Sequence, residues 1–96
     1  MTDRELSAAD FARSIRHSVR SRIMEGKIHG GADIVALRRF TGLTQEGFAN
    51  ALGISVHTLR NWEQDRRHPD GTALALLRIA ARHPRVLKEN LAGIEG

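Results

Sequence analysis

The chain has 96 residues and a mass of 10.7 kDa, so it has the size of one small domain. This length argues against a two-domain active site or a doubly wound sheet, although a hydrophobic fraction of 41% is enough for a compact core. The absence of cysteine excludes disulfides, thiolate zinc sites and iron–sulfur clusters.

Fifteen Lys and Arg residues against eleven Asp and Glu residues give a net charge of +4, and thirteen of the fifteen are Arg. Arginine matches phosphate oxygens and guanine edges well, so the charge permits a nucleic-acid partner, although a solvated arginine-rich surface is the simpler explanation. No apolar run approaches the roughly 20 residues of a membrane span, and the polar N-terminus does not resemble a signal peptide. We therefore expect a cytoplasmic protein with no membrane partner.

A first helix is predicted to begin near Ser7, where Asp10 three residues later resembles a capping box. Its apolar residues recur at helical spacing and form one stripe, namely Ala8, Phe11, Ala12, Ile15, Val19 and Ile23. A flexible joint is expected to end this helix, formed by Gly26, Gly30 and Gly31. Residues 1–30 are thus predicted to form a helix and a glycine-rich joint, and they are a candidate partner-binding arm. The alternative is that the stripe packs on the core of residues 31–96.

Glycine, proline and polar capping residues divide the rest of the chain into further short helices. These are predicted over residues 34–40, 45–52, 56–64 and 72–82, followed by a last short helix from Pro84. The start of the helix over 34–40 is favoured by Asp33. The expected N-caps are Thr44 and Ser55, and the expected C-cap glycines are Gly42 and Gly53. Because no stretch alternates with period two, we predict an all-α fold of five to six short helices.

Residues 45–63 carry the most specific pattern of the sequence. Two short helices joined by a tight turn must cross steeply, so they need a small residue at their closest approach and a left-handed turn residue. Ala49 and Gly53 meet these requirements. The positions that face a shared core are all apolar, namely Phe48, Leu52, Ile54, Leu59 and Trp62. Together these features indicate a helix-turn-helix.

This stretch resembles the Xre/Cro/C1-type family of DNA-binding proteins, and the resemblance covers roughly residues 33–81. The wider signature runs from Leu37 to Gln45 before the turn and continues as Asn61-Trp62-Glu63-Gln64 after it. Within that family the chain is most similar to HigA-type antitoxins, through Leu59-Arg60-Asn61-Trp62-Glu63-Gln64-x-Arg66-Arg67-x-Pro69-x-Gly71 and the Ala/Leu-rich segment that follows. Two positions depart from the pattern: Asp65 replaces a usual Gly, and Thr72 a frequent Pro. The resemblance implies a lambda-repressor-like helix-turn-helix domain, here with an extra N-terminal amphipathic helix.

The second helix of such a motif lies in the major groove, where its N-terminal residues meet base edges. Asn61 can bond adenine, Arg60 can contact guanine or a phosphate, and Val56 can touch a thymine methyl. His57 can donate to guanine or to a phosphate. The family places Gln45 at the DNA backbone or a flanking base, and the arginines after the second helix can reach phosphates. The predicted DNA-binding residues are Thr44, Gln45, Ser55, Val56, His57, Thr58, Arg60, Asn61, Arg66 and Arg67. The alternative is that they are ordinary surface residues.

The resemblance also implies a structural ion pair between Arg38 and Glu63, and a homodimer. Helix-turn-helix dimers read two half-sites of a pseudo-palindromic operator in double-stranded DNA. A C-terminal dimerisation helix within residues 31–96 is a candidate for the interface, through Val86, Leu87, Leu91 and Ile94. These residues can equally complete the core of the monomer.

The resemblance implies a sequence-specific transcriptional repressor, and more finely the antitoxin of a type II toxin–antitoxin pair that represses its own operon and neutralises a toxin by direct binding. A stand-alone regulator of a phage or mobile element is the alternative, and a helical module that binds only protein is another. We expect no enzyme, cofactor or metal site, because the five histidines are dispersed and show no catalytic or ligand spacing.

Overall fold

The computed structural model describes residues 15–95, and side chains as far as residue 90. Six α-helices and no strand lie in this range, which confirms the all-α prediction. The helices are α1 (His17–Met24), α2 (Gly31–Thr41), α3 (Gln45–Leu52), α4 (Val56–Glu63), α5 (Gly71–Arg82) and α6 (Pro84–Glu95). None of these helices is long and apolar enough to cross a membrane.

Helix α1 is the first helix of the described residues and begins at His17. Arg16 before it has an extended backbone with φ −61° and ψ 136°, so the predicted single helix from near Ser7 to Ile23 is interrupted there. Ile15, which also lies before the helix, nevertheless packs against the core. Helical spacing of apolar residues therefore identified Ile15, Val19 and Ile23 as core-packing residues but not the interruption at Arg16. The predicted capping box at Ser7 and Asp10 lies outside the described residues, as do Ala8, Phe11 and Ala12.

The predicted caps of α3 and α4 are confirmed. Thr44 Oγ1 accepts the Gly47 N–H at 3.0 Å, and Ser55 Oγ accepts the Thr58 N–H at 3.0 Å. Gly42 and Gly53 end α2 and α3 in the left-handed conformation, with φ of 79° and 76°. A side chain there would cost about 1–2 kcal/mol. Of the two helices that form the motif, α3 is thus capped at both ends and α4 at its start.

Helix α2 begins at Gly31, three residues before the predicted start, so Asp33 lies within its first turn instead of before it. The Asp33 carboxylate pairs with Arg22 of α1 and accepts the His29 N–H at 2.8 Å. These contacts join α1 to α2 across the glycine-rich joint.

One mainly aliphatic core joins all six helices. Its largest fully buried apolar side chains come from five of them, namely Ile23, Ile34, Leu37, Phe48, Leu59 and Leu77. Ile23 of α1 has no exposed surface, and Val19 packs against the same core. The described part of the N-terminal stripe is therefore packed on the helix-turn-helix core.

Helix α6 is anchored to the same body. Leu87 is 6% exposed and belongs to the core, whereas Val86 beside it is 49% exposed. Asn90 Nδ2 donates to the Ala51 carbonyl of α3 at 2.6 Å. Of the predicted C-terminal interface residues, Leu87 thus completes the monomer core and Val86 lies on the surface; the side chains of Leu91 and Ile94 are outside the described part of the chain.

Candidate nucleic-acid interface

The turn between α3 and α4 sets the position of α4. Ile54 N–H donates to the Ala49 carbonyl at 3.0 Å, and Gly53 N–H donates to the Asn50 carbonyl at 3.1 Å. Ala49 is 1% exposed. The small side chain and the left-handed glycine therefore occupy the places that the sequence predicted for them.

Helix α4 has a buried side and an exposed side. Leu59 and Trp62 are buried at 0% and 6% exposure. On the other side, His57 and Arg60 are exposed and Asn61 is half-buried. This exposed side is where the sequence placed the base-contacting residues.

His57 and Asn61 form one cluster on the exposed side. They lie one turn apart, with Asn61 Nδ2 3.3 Å from His57 Nε2. Both line a groove of about 650 Å³ between α4 and the start of α5, together with Thr58 and Arg67. The structure thus brings four of the predicted DNA-binding residues to one concave surface.

The loop after α4 folds back onto the helix. The Arg66 and Arg67 N–H groups donate to the Asn61 carbonyl at 2.9 and 3.3 Å, and both side chains are exposed. Asp65 has a left-handed backbone with φ 60°, a conformation that Asp tolerates better than most residues. Its Oδ1 accepts the Gly31 N–H of α2 at 2.7 Å. This bond was not predicted from the sequence, where Asp65 appeared only as a departure from Gly.

Gly31 itself marks a close approach of α2 to the end of α4. A Cβ atom at this position would lie 2.3 Å from the Glu63 carbonyl oxygen and 2.6 Å from that of Trp62. Both obstacles are backbone atoms, so they cannot move aside as a flexible side chain would. The glycine that the sequence assigned to a flexible joint is required instead by helix packing.

Arg38 and Glu63 form an ion pair between α2 and α4. Arg38 Nε lies 2.7 Å from Glu63 Oε2, and Nη2 lies 3.4 Å from Oε1. The two side chains are only 16% and 6% exposed. The pair therefore fixes the C-terminal end of α4 against the body of the protein.

Gln45 extends this pair to the exposed side of α4. Its Nε2 donates to Glu63 Oε1 at 2.9 Å, and its Oε1 accepts from Arg60 Nε at 3.2 Å. Arg60 Nη2 also lies 3.6 Å from Glu46 Oε1. Gln45 and Arg60, both predicted DNA-binding residues, are thus bonded to each other at the start of α3. The sequence did not reveal this chain of contacts, because it joins side chains of three helices.

The remaining predicted residues have local roles. Ser55 and Thr58 are bonded hydroxyl to hydroxyl at 2.9 Å in addition to the cap, and Thr44 serves as the cap of α3. Val56 is half-buried and packs against the core. Its methyl groups are therefore less available to a thymine than the sequence suggested. Among the described residues, no group of three or more His, Asp or Glu side chains is placed to hold a metal ion.

Comparison with known proteins identifies the family. The helix-turn-helix family matches residues 36–80. The HTH-type transcriptional regulator YazB of Bacillus subtilis, itself uncharacterized, is 47% identical over 51 residues, which cover 53% of this chain and 72% of YazB. The chain belongs to the Xre/Cro/C1-type helix-turn-helix family.

Two further relatives of this helix-turn-helix protein match part of their length. Antitoxin HigA-2 of Vibrio cholerae is 42% identical over 55 residues, or 57% of this chain and 53% of HigA-2. The uncharacterized HTH-type transcriptional regulator YiaG of Escherichia coli is 37% identical over 57 residues, or 59% of each chain. The matches therefore span little more than half of these two relatives. No solved structure matches the chain significantly.

Proposed function

We propose that this chain is a sequence-specific regulator of transcription that inserts the exposed side of α4 into the major groove of double-stranded DNA. The observation that carries this proposal is the contrast across α4, whose inner side is buried in the core, while on the other side His57 and Arg60 are exposed and Asn61 is half-buried. A helix held in this way can present side chains to base edges without losing its own packing. Membership of the helix-turn-helix family supports the same function.

In this proposal, His57 and Asn61 read bases and the arginines of the following loop bind phosphates. The contact between Asn61 Nδ2 and His57 Nε2 orients both side chains in the protein without DNA. An Asn amide pairs bidentately with adenine, which is worth about 1–3 kcal/mol of discrimination. Arg66 and Arg67 are exposed just beyond α4 and contribute sequence-independent affinity.

The test is selection of bound duplexes from a random-sequence library, followed by binding measurements over a salt series. We expect one sequence to be enriched, and the logarithm of its affinity to fall with the logarithm of salt with a slope of about −0.9 per phosphate neutralised. Asn61→Ala should lose about 10- to 100-fold of the preference for the selected sequence while keeping its affinity for random sequence. The control is Asn50→Ala, an exposed Asn on α3 outside the proposed site. Equal preference in both variants would contradict the proposed site.

We also propose that the chain acts as a homodimer on a pseudo-palindromic operator, because one short recognition helix contacts few base pairs. The exposed Val86 at the start of α6 supports an interface there. Half-sites should then lie about 34–36 Å apart, one turn of DNA. Sedimentation of the wild-type chain should give a dimer and Val86→Glu a monomer. A selected site without internal symmetry would contradict the dimer.

A finer proposal is that the chain is an antitoxin that represses its own operon and neutralises a toxin. Its similarity to antitoxin HigA-2 supports this, although the match covers only 53% of that protein. Because Val19 and Ile23 pack in the core, we place a toxin contact of the N-terminal arm on residues before Ile15.

Capture of the product of the neighbouring gene tests the antitoxin proposal. The full chain and a chain that begins at Ile15, which keeps the described core, are compared. Stronger capture by the full chain is expected. Equal capture would count against the arm as the toxin site, and no capture together with operator binding would favour a stand-alone regulator.

A further inference from the structure

An exposed ion pair lies within the proposed DNA-binding surface. Arg60 of α4 and Glu46 of α3 approach to 3.6 Å between Nη2 and Oε1, and their side chains are 48% and 67% exposed. An ion pair this exposed contributes little to folding, because water and salt screen it. Because Arg60 is one of the predicted DNA-binding residues, this ion pair can instead affect the strength of DNA binding.

The Arg60 guanidinium is positioned by one group and neutralised by another. Its Nε donates to Gln45 Oε1 at 3.2 Å, and Gln45 is in turn oriented by Glu63, which is 6% exposed. Gln45 is uncharged, so it directs the guanidinium without neutralising it. Glu46 supplies the negative charge that faces Nη2.

A carboxylate and a phosphate oxygen are alternative partners for the same guanidinium edge, because both are anionic acceptors of its N–H groups. A phosphate that binds Arg60 must either displace Glu46 or lie beside its negative charge. Both outcomes weaken binding, and both depend on salt.

We propose that Glu46 is an internal counter-ion of Arg60 that a DNA phosphate replaces, so that Glu46 limits the strength of DNA binding. Arg60 is thereby assigned to the DNA backbone, with Gln45 as its positioning residue. This inference rests on the proposed DNA-binding function and adds a residue, Glu46, that sequence analysis did not place in the site.

The test measures binding of a fluorescein-labelled duplex of random sequence by the full chain and its Glu46→Gln variant. Glutamine keeps the size of the side chain and removes its charge. We expect the variant to bind the duplex about three- to tenfold more tightly at low salt. The slope of the logarithm of affinity against the logarithm of salt should become more negative by up to about 0.9, because Arg60 without its counter-ion neutralises one more phosphate. The gain should shrink as salt is raised.

The matched control is Glu25→Gln. Glu25 also forms an exposed ion pair, with Lys27 at 3.8 Å, and the two side chains are 62% and 67% exposed. This pair lies after α1 and involves neither α3 nor α4, so Glu25→Gln changes the net charge as Glu46→Gln does but leaves Arg60 paired with Glu46. We expect a gain of less than about twofold.

A second pair of variants separates replacement of a partner from simple repulsion. Glu46→Gln is introduced into a chain that already carries Arg60→Gln, and the gain is compared with that in the wild-type background. If a phosphate replaces Glu46 at Arg60, the gain should be at least about twofold smaller without the arginine. Thermal melting of each variant shows that all are folded at the temperature of the assay.

Each outcome has a distinct meaning. A wild-type chain that binds no duplex even at low salt overturns the proposed function and this inference with it. Binding by the wild-type chain with equal effects of Glu46→Gln and Glu25→Gln overturns the inference alone, as does a gain that is the same with and without Arg60.

Discussion

The two sides of α4 differ in what holds their side chains in place. On the inner side, Trp62 is 6% exposed and Glu63 is bound by both Arg38 and Gln45. On the outer side, Asn61 and His57 are held mainly by each other, at 3.3 Å. The position of the helix is therefore set by the body of the protein, while its outer residues carry few constraints from folding. Substitutions on the two sides should consequently differ in kind: inner ones change stability, and outer ones change what is bound.

The largest loss of stability is expected for Arg38→Ala, because Arg38 of α2 pairs with Glu63 on the inner side of α4. This variant leaves the Glu63 carboxylate, 6% exposed, without its cation. Loss of one partner of such a pair costs about 3–5 kcal/mol of unfolding free energy. Urea unfolding followed by circular dichroism measures it, with Arg39→Ala as the control because the neighbouring Arg39 is exposed. The same stability for both variants would show that the ion pair does not hold α4.

The next largest loss of stability is expected for Gly31→Ala, at the close contact between α2 and the end of α4. The added Cβ would lie 2.3 Å from the Glu63 carbonyl oxygen, so α4 or α2 must shift. Overpacking of this kind costs about 1–3 kcal/mol. Gly71→Ala is the matched control, because a Cβ there meets no atom within 4 Å beyond its chain neighbours and the backbone of its own helix. A small gain in stability is expected for the control. A similar gain for Gly31→Ala would mean that α2 and the end of α4 can move apart at little cost.

The outer side should show the smallest effect on folding, in His57→Ala. Within the described part of the chain, this exposed side chain is hydrogen-bonded only to Asn61. The unfolding free energy should therefore change by no more than about 0.5 kcal/mol. Its preference for the selected operator over random duplex should nevertheless fall, because a base contact and the orientation of Asn61 are lost. Melting and competition binding on the same preparation measure both quantities. A clear loss of stability with unchanged preference would reverse the distinction between the two sides.

The sequence predicted those parts of the fold that depend on neighbouring residues. The caps at Thr44 and Ser55 and the left-handed glycines at Gly42 and Gly53 were predictable because each requirement lies within a few residues of the cap. The prediction of one helix through Ile15 and Arg16 was wrong, because apolar spacing does not distinguish an Ile15 that packs from a helix from one that packs from the segment before it.

The parts of the site that were not predicted depend on contacts between distant residues. The bond from Gly31 to Asp65 spans 34 positions, and that from Gln45 to Glu63 spans 18. Nothing in the local sequence distinguishes an aspartate that caps another helix from one that simply tolerates a left-handed turn. Likewise, Gln45 and Arg60 were each assigned to DNA separately, whereas the structure shows that they are bonded to each other.

The most direct test is an NMR titration of the isotope-labelled chain with the duplex recovered by selection. If α4 enters the major groove, the backbone amides of His57, Arg60 and Asn61 should show the largest shifts, followed by those of the Arg66–Arg67 loop. Amides of α1 should change little. Large shifts confined to α1 and α5, with the outer side of α4 unaffected, would show that DNA binds elsewhere.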